Sequence, residues 1–208
     1  MKMKLVPAVT LTVVCLALPF TSLAQSATDQ PDASKMVPAQ VALKTTLDAK
    51  KLQPGATFNA TLASKVHLAN GPELPAGTVL VGQITDDDMQ VAGTSKLAVR
   101  FTGAQLKNGQ IVPIKATIVN VVNADDVVYD GTTPAPVQAS DNWTVSQKVD
   151  QLNVRAGLDM HSMVASSNSG VFVSSKGKDL QVKAGSQFSI GIATSPSPAG
   201  GATGAVGH

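Results

Sequence analysis

SKLAVRFTGAQLKNGQIVPIKATI, Ser95 to Ile118, decides the fold class of this 208-residue chain. Leu97, Val99 and Phe101 alternate with Lys96, Ala98 and Arg100, the period-two pattern of a half-buried strand. Asn108-Gly109 is the strongest short hairpin signal, because a type I′ turn needs positive φ at both central residues and this pair tolerates it. With those two as the loop, Lys107 faces Gln110. Phe101 then faces Ala116, Val99 faces Ile118 and Gly103 faces Ile114 on one apolar face, while Arg100 faces Thr117 and Thr102 faces Lys115. Pro113 falls opposite Ala104 at a non-hydrogen-bonded site, so the amide it lacks points away from that partner. The strand is then an edge, or bulged, on its other side near Pro113.

The same period runs through the flanking sequence. Thr57 to Leu68 sets Phe58, Ala60, Leu62, Val66 and Leu68 against Thr57, Asn59, Thr61, Lys65 and His67. Phe188, Ile190 and Ile192 alternate with Gln187, Ser189 and Gly191, and Leu158 to Val164 leads through residues 166–170 into 171–173 as a second hairpin. Helix spacing occurs only between Thr144 and Val164, at Val145, Val149 and Leu152, where Gly157 limits it to one short helix; Asp48 to Leu52 suits a single turn. A glycine-led phrase recurs at Gly55, Gly77 and Gly185, each just before a strand. It reads as a strand-entry device, with Pro54 or Pro75 fixing φ and glycine taking a conformation other residues avoid. The whole predicts an all-β domain: a single antiparallel barrel or sandwich of about seven or eight strands with at most one or two short helices.

The ends read differently. Residues 1–24 have the form of a secretory signal: Lys2 and Lys4, an apolar run from Leu5 to Phe20, then small residues at Ser22-Leu23-Ala24. A retained anchor is the rival, since the run falls slightly short of the roughly 20 residues that span a bilayer. Lipid attachment at Cys15 would need a small residue where Val14 stands. Residues 25–39 read as a flexible leader, 40–193 as the β-domain and 194–208 as a disordered low-complexity tail. Cleavage removes the single cysteine, Cys15, and takes 16 basic residues, by loss of Lys2 and Lys4, to 14 against 14 acidic ones. A neutral mature chain has no electrostatic footprint for nucleic acid, and none is expected as a partner.

Chemistry is hard to place in these residues. His67, His161 and His208 have no spacing that favours a zinc site. Asp86-Asp87-Asp88 and Asp125-Asp126 with Asp130-Gly131 lack the alternation of a calcium loop and read as solvated turns that discourage edge pairing. There is no Gly-x-Ser-x-Gly elbow, and Glu73 is the only glutamate. No catalytic, cofactor-binding or metal-ligating residue is expected, and no cofactor. Trp143, at the edge of the unpatterned stretch Asn123 to Asn142, is the one speculative partner-binding residue, with a core plug as the alternative.

VHLANGPELPAGTVLVGQI, the Ser95–Ile118 stretch and GKDLQVKAGSQFSIGI (Gly177 to Ile192) resemble the C-terminal β-barrel domain of TrbI-type conjugal-transfer proteins. They share its proline/small-glycine-small strand entry, its L-x-x-G-x-x-I/V hairpin and its closing apolar-x-x-Gly-Ser/Thr strand. The same arrangement is similar to exported bacterial proteins of unassigned activity with a signal peptide and this ending. The resemblance implies a β-barrel and carries over no catalytic residues. The family's transmembrane anchor, long proline-rich arm and pore-lining helical insertion find no counterpart in this reading. The expectation is a non-enzymatic exported protein of the periplasm or cell envelope, without a membrane span after signal cleavage, whose partner is an envelope protein or polymer. A component of a type IV secretion-like envelope assembly is the alternative, and a hydrolase of envelope polymer a second alternative.

Overall fold

The computed structural model describes residues 35–126, 144, 146–174 and 180–195. Among these, thirteen strands follow one another. They are β1 (Val37–Leu43), β2 (Leu47–Asp48), β3 (Thr57–Leu62), β4 (Val66–His67), β5 (Glu73–Leu74), β6 (Val79–Thr85) and β7 (Ser95–Gln105). After them come β8 (Ile111–Val122), β9 (Lys148–Arg155), β10 (Leu158–Met163), β11 (Gly170–Ser174), β12 (Gln181–Val182) and β13 (Gln187–Thr194). Four of the thirteen are two-residue stubs, paired as β2 with β12 and β4 with β5.

The fold is all-β and built on a closed antiparallel barrel. Its six strands run in the order β6-β3-β1-β13-β8-β7, and β7 returns to β6 to close the ring. Closure leaves no free edge within the ring, which an open sandwich would have to protect. Inward-facing residues come from all six strands. They include Leu43, Phe58, Leu62, Leu80, Phe101, Ile118, Phe188 and Ile190, all buried. The rings of Phe58 and Phe101 meet edge to face at 5.4 Å between centroids, and Phe172 lies 5.9 Å from Phe188.

The three glycine phrases are one device used three times. Ala56 N donates to Gln53 O, Thr78 N to Pro75 O and Ser186 N to Lys183 O, each closing a four-residue turn. Gly55, Gly77 and Gly185 hold the third position at φ of +95°, +82° and +88°, the type II conformation that excludes side chains. The glycine amides then donate to Ile84, Leu62 and Leu43, and these same residues donate back to Ala56, Thr78 and Ser186. Each turn thus starts its own strand and caps the end of a neighbouring one. It satisfies two backbone groups that the barrel rim would otherwise leave open.

The decisive hairpin forms with a different loop. Only Gly109 has positive φ; Leu106 N donates to Gln110 O, and Asn108 Oδ1 accepts from Gln110 N. The asparagine spends its side chain on the local backbone instead of entering the left-handed region. The loop is therefore three residues, Lys107 to Gly109, a type I turn closed by glycine. Register moves by one: Gly103 faces Pro113, Ala104 faces Val112 and Gln105 faces Ile111. Pairing of β7 with β8 stops there. On its other side β8 pairs with β13 from Ile114 onward, and Pro113 O accepts from Ser195 N.

Beyond Pro113 the two strands fork. The edge of β7 is taken by β11, with Gly170 opposite Val99 and Ser174 opposite Ser95, and β10 and β9 follow outward in a meander. The expected pairs Phe101–Ala116 and Val99–Ile118 are therefore not formed. The fork side of β8 is met largely by side chains: Gln151 on β9 accepts from Val121 N and donates to Val121 O, as a strand partner would. Asn123 Nδ2 donates to Val154 O, and Ser162 Oγ donates to Ile118 O.

Three further expectations change. The segment allowed a short helix holds β9 instead, paired antiparallel with β10; Val149 faces Ser162, while Leu152 is exposed. The strand read from Thr57 to Leu68 breaks after Leu62, whose backbone is claimed by the Gly77 turn, and Val66–His67 pairs separately with β5. The leader gives way at Val37, where β1 begins with Pro38 opposite Gly191. Asp48 does start a single turn, with Leu52 N donating to its carbonyl.

Candidate functional site

The best-developed polar cluster fills the fork. Ser169 N donates to Val99 O, Ser169 O accepts from Ile118 N, and Ser169 Oγ accepts from Phe101 N, so one residue bridges both diverging strands. Ser166, Ser167 and Asn168 precede it and hold the Asp86-Asp87-Asp88 segment that leaves β6. Asn168 is fully buried. Its Oδ1 accepts from Asp88 N at 3.0 Å, and its Nδ2 donates to Thr85 Oγ1 at 2.7 Å and Asp86 O at 3.1 Å.

The aspartates do structural work here that the sequence reading assigned to solvent. The Asp88 carboxylate accepts from Ser166 Oγ at 2.7 Å, Ser167 N at 2.8 Å and Ser167 Oγ at 2.6 Å. Asp87 accepts from Met89 N, Val91 N and Lys96 Nζ, folding the next loop back toward the sheet. Arg100 on β7 donates through Nε to Ser167 O and through Nη2 to Ser167 Oγ. These groups border an open cleft of about 390 Å³ lined by Pro54, Gly55, Gln83, Asp86, Arg100 and Ser167.

Electrostatics follow from the same contacts. Partial burial alone would raise the Asp88 pKa. The hydrogen bonds from Ser167 and Ser166 and the backbone amides of Ser167 and Asn168 outweigh it, and hold the carboxyl below its usual range. Burial pushes the Lys115 ammonium down; Asp88 pulls it back up and Arg100 adds to the lowering.

A carboxylate with a depressed native pKa contributes stability that is present above its unfolded pKa, about 3.9, and lost as pH falls through the native value. Urea unfolding midpoints followed from pH 7 to pH 3 should therefore fall below about pH 4. Asp88→Asn should flatten that fall, leaving the part owed to Asp48 and Asp125. These are lowered chiefly by the Lys50 backbone amide and the Lys183 ammonium. Identical profiles for the two proteins would show that the Asp88 carboxylate does not hold the loop to Ser166 and Ser167.

The other sequence candidates are dispersed. His67 Nδ1 lies 3.3 Å from Glu73 Oε2 across the β4–β5 pair, and His161 Nδ1 lies 2.7 Å from Asp150 Oδ1 across β10 and β9. Asp125 receives Lys183 Nζ at 2.6 Å and 2.9 Å. Trp143 and the Asp130-Gly131 pair lie outside the described residues. Among the described residues no three of His, Cys, Asp and Glu converge as a metal group. None of their helices is long and apolar enough to cross a membrane. Sequence reasoning missed Asn168 and Ser169. Their signal was the polar run of residues 166–169 between two apolar strands, which reads equally well as an ordinary hairpin loop.

No protein-family model and no curated protein matches the chain. Among solved structures, ComB10 of the Com type IV secretion system of Helicobacter pylori is similar with a TM-score of 0.35 and 13% sequence identity. The match covers 80% of this chain and 90% of that one. A likeness at this level carries no functional argument.

Proposed function

We propose that this chain is an exported, non-enzymatic module of the periplasm or cell envelope that binds or supports another envelope component. The observation that carries the reading is where the polar side chains are spent. Asp87, Asp88, Arg100, Ser166, Ser167 and Asn168 hold loops onto the barrel and onto one another. Such a network stiffens a rim that a partner can read without reorganising it, which lowers the ordering cost of association. Its partner is an envelope protein or polymer; no nucleic acid is proposed. Co-purification from native envelopes after chemical cross-linking should recover a defined partner. A chain recovered alone, with no cross-linked species, would refute the module role.

The alternative is a subunit of a type IV secretion-like envelope assembly. It is favoured by the closed antiparallel barrel, the architecture implied by the resemblance of residues 66–84, 95–118 and 177–192 to TrbI-type domains. Size-exclusion chromatography of the cross-linked material separates the two readings. Ring-sized homo-oligomers support the assembly; a monomer bound to a dissimilar partner excludes it.

A further inference from the structure

A second, smaller cavity of about 180 Å³ lies on the outer face of the β9–β10 pair, under the loop that Asp87 folds back. It is lined by Met89, Val91, Lys148, Asp150, His161 and Met163. His161 and Met163 are two residues apart on β10 and so share one face of the sheet. Asp150 stands directly opposite His161 on β9, and Lys148 opposite Met163. Met89 reaches the same face from the loop, packed beside the small cluster of Ala98, Val171 and Val173.

The chemistry of this set is specific. A carboxylate only accepts, so the 2.7 Å contact requires the Nδ1–H of His161 to donate to Asp150 Oδ1. In the neutral ring that contact leaves the lone pair on Nε2. That is the carboxylate–histidine arrangement that orients and strengthens a metal-ligating ring. Met89 and Met163 bring thioether sulfur to the lining, while the Ser162 hydroxyl, also in the lining, is taken up by Ile118 O. Soft sulfur with one imidazole selects a soft metal, whereas magnesium, calcium and manganese prefer all-oxygen sets. Lys148, also in the lining, adds a positive charge, which weighs more heavily against a divalent ion than a monovalent one.

We propose that His161, Met163 and Met89 form a site for a single Cu(I) ion, with Asp150 as the residue that positions the histidine. Binding involves no change of oxidation state. The site needs nothing from the module role, and an exported chain that has lost Cys15 has thioethers as its only sulfur donors.

The test is anaerobic titration of the full chain, in a Cys15→Ser background, with Cu(I) held by a coloured chelator. One equivalent should transfer to the protein. Met163→Leu, which conserves volume, should weaken uptake. Asp150→Asn should weaken it by about 10- to 100-fold. His161→Ala should abolish stoichiometric transfer, while its unchanged circular dichroism shows the barrel intact. No transfer to the parent protein, equal transfer to His161→Ala, or equally tight Zn(II) binding would each overturn the proposal.

Discussion

Gly82→Val should lower the free energy of unfolding by about 3 kcal/mol, at the upper end of what overpacking a tight core usually costs. Gly82 stands on β6 with Phe58 opposite on β3 and Phe101 opposite on β7. The two rings meet edge to face across it. A Cβ built there would sit 2.2 Å from Phe58 Cζ and within 2.7 Å of both Cε atoms. Phe58 is only 3% exposed, so its ring has no free space to move into. The glycine is needed for room, since its φ is not in the left-handed region. Urea unfolding of Gly82→Val, Phe58→Ala and the double variant makes the cause visible. If the clash is with the ring, the double variant loses much less than the two single losses added together. Strict additivity would show that the substituted valine is harmful for another reason.

The all-β domain, barrel or sandwich, was legible because period-two patterning records which residues face inward, and that record survives local errors. The hairpin at Asn108-Gly109 shows how. The loop is one residue longer than the type I′ reading allows, which should turn every residue of one strand to the wrong face. Instead β7 carries an extra residue: Val81 faces Gly103, the next residue, Gly82, faces Phe101, and Thr102 is left unopposed. The bulge reverses the alternation once more. Leu97, Val99 and Phe101 point inward as their pattern predicts, while Ala104 and not Gly103 continues the core toward the turn. Neither the loop length nor the bulge alone can be read from Thr102-Gly103 or Asn108-Gly109, since both pairs tolerate several backbone conformations.

The fork was not legible, for a physical reason. A hairpin in one register is the local reading of Ser95 to Ile118, and only a segment more than forty residues later supplies what separates its strands. Ser169 and β11 compete for the edge of β7 with hydrogen bonds that sequence spacing does not encode. The aspartates failed in the same way. Asp86-Asp87-Asp88 at a strand end has the composition of a solvated turn, and only the arrival of Ser166, Ser167 and Asn168 converts Asp88 into an anchor. His161 and Asp150 meet because β9 and β10 pair with a shift near Leu158, where Gly157 has positive φ.

Asn168→Ala should loosen the anchor from its buried side, leaving only the bonds of Ser166 and Ser167 to the Asp88 carboxylate. The side chain makes three hydrogen bonds from a fully buried position, and a methyl group in its place can make none of them. Loss of a net contribution near 1 kcal/mol per bond, increased where a partner stays unsatisfied, gives an expected destabilisation of about 2–3 kcal/mol. The effect should also be localised. Asp88 N and the Asp86 carbonyl lose their partner directly, so amide exchange at Asp88 and through the loop to Val91 should accelerate. The Gly77 turn and the β1–β13 pairing, on other parts of the ring, should retain their protection relative to global unfolding. Asn168→Asp separates shape from donor capacity. It keeps the acceptor for Asp88 N but sets a carboxylate against the Asp86 carbonyl, and should be at least as damaging at neutral pH. Exchange that accelerates uniformly around the barrel would mean that Asn168 supports the core as a whole, and that Ser169 alone holds the fork open.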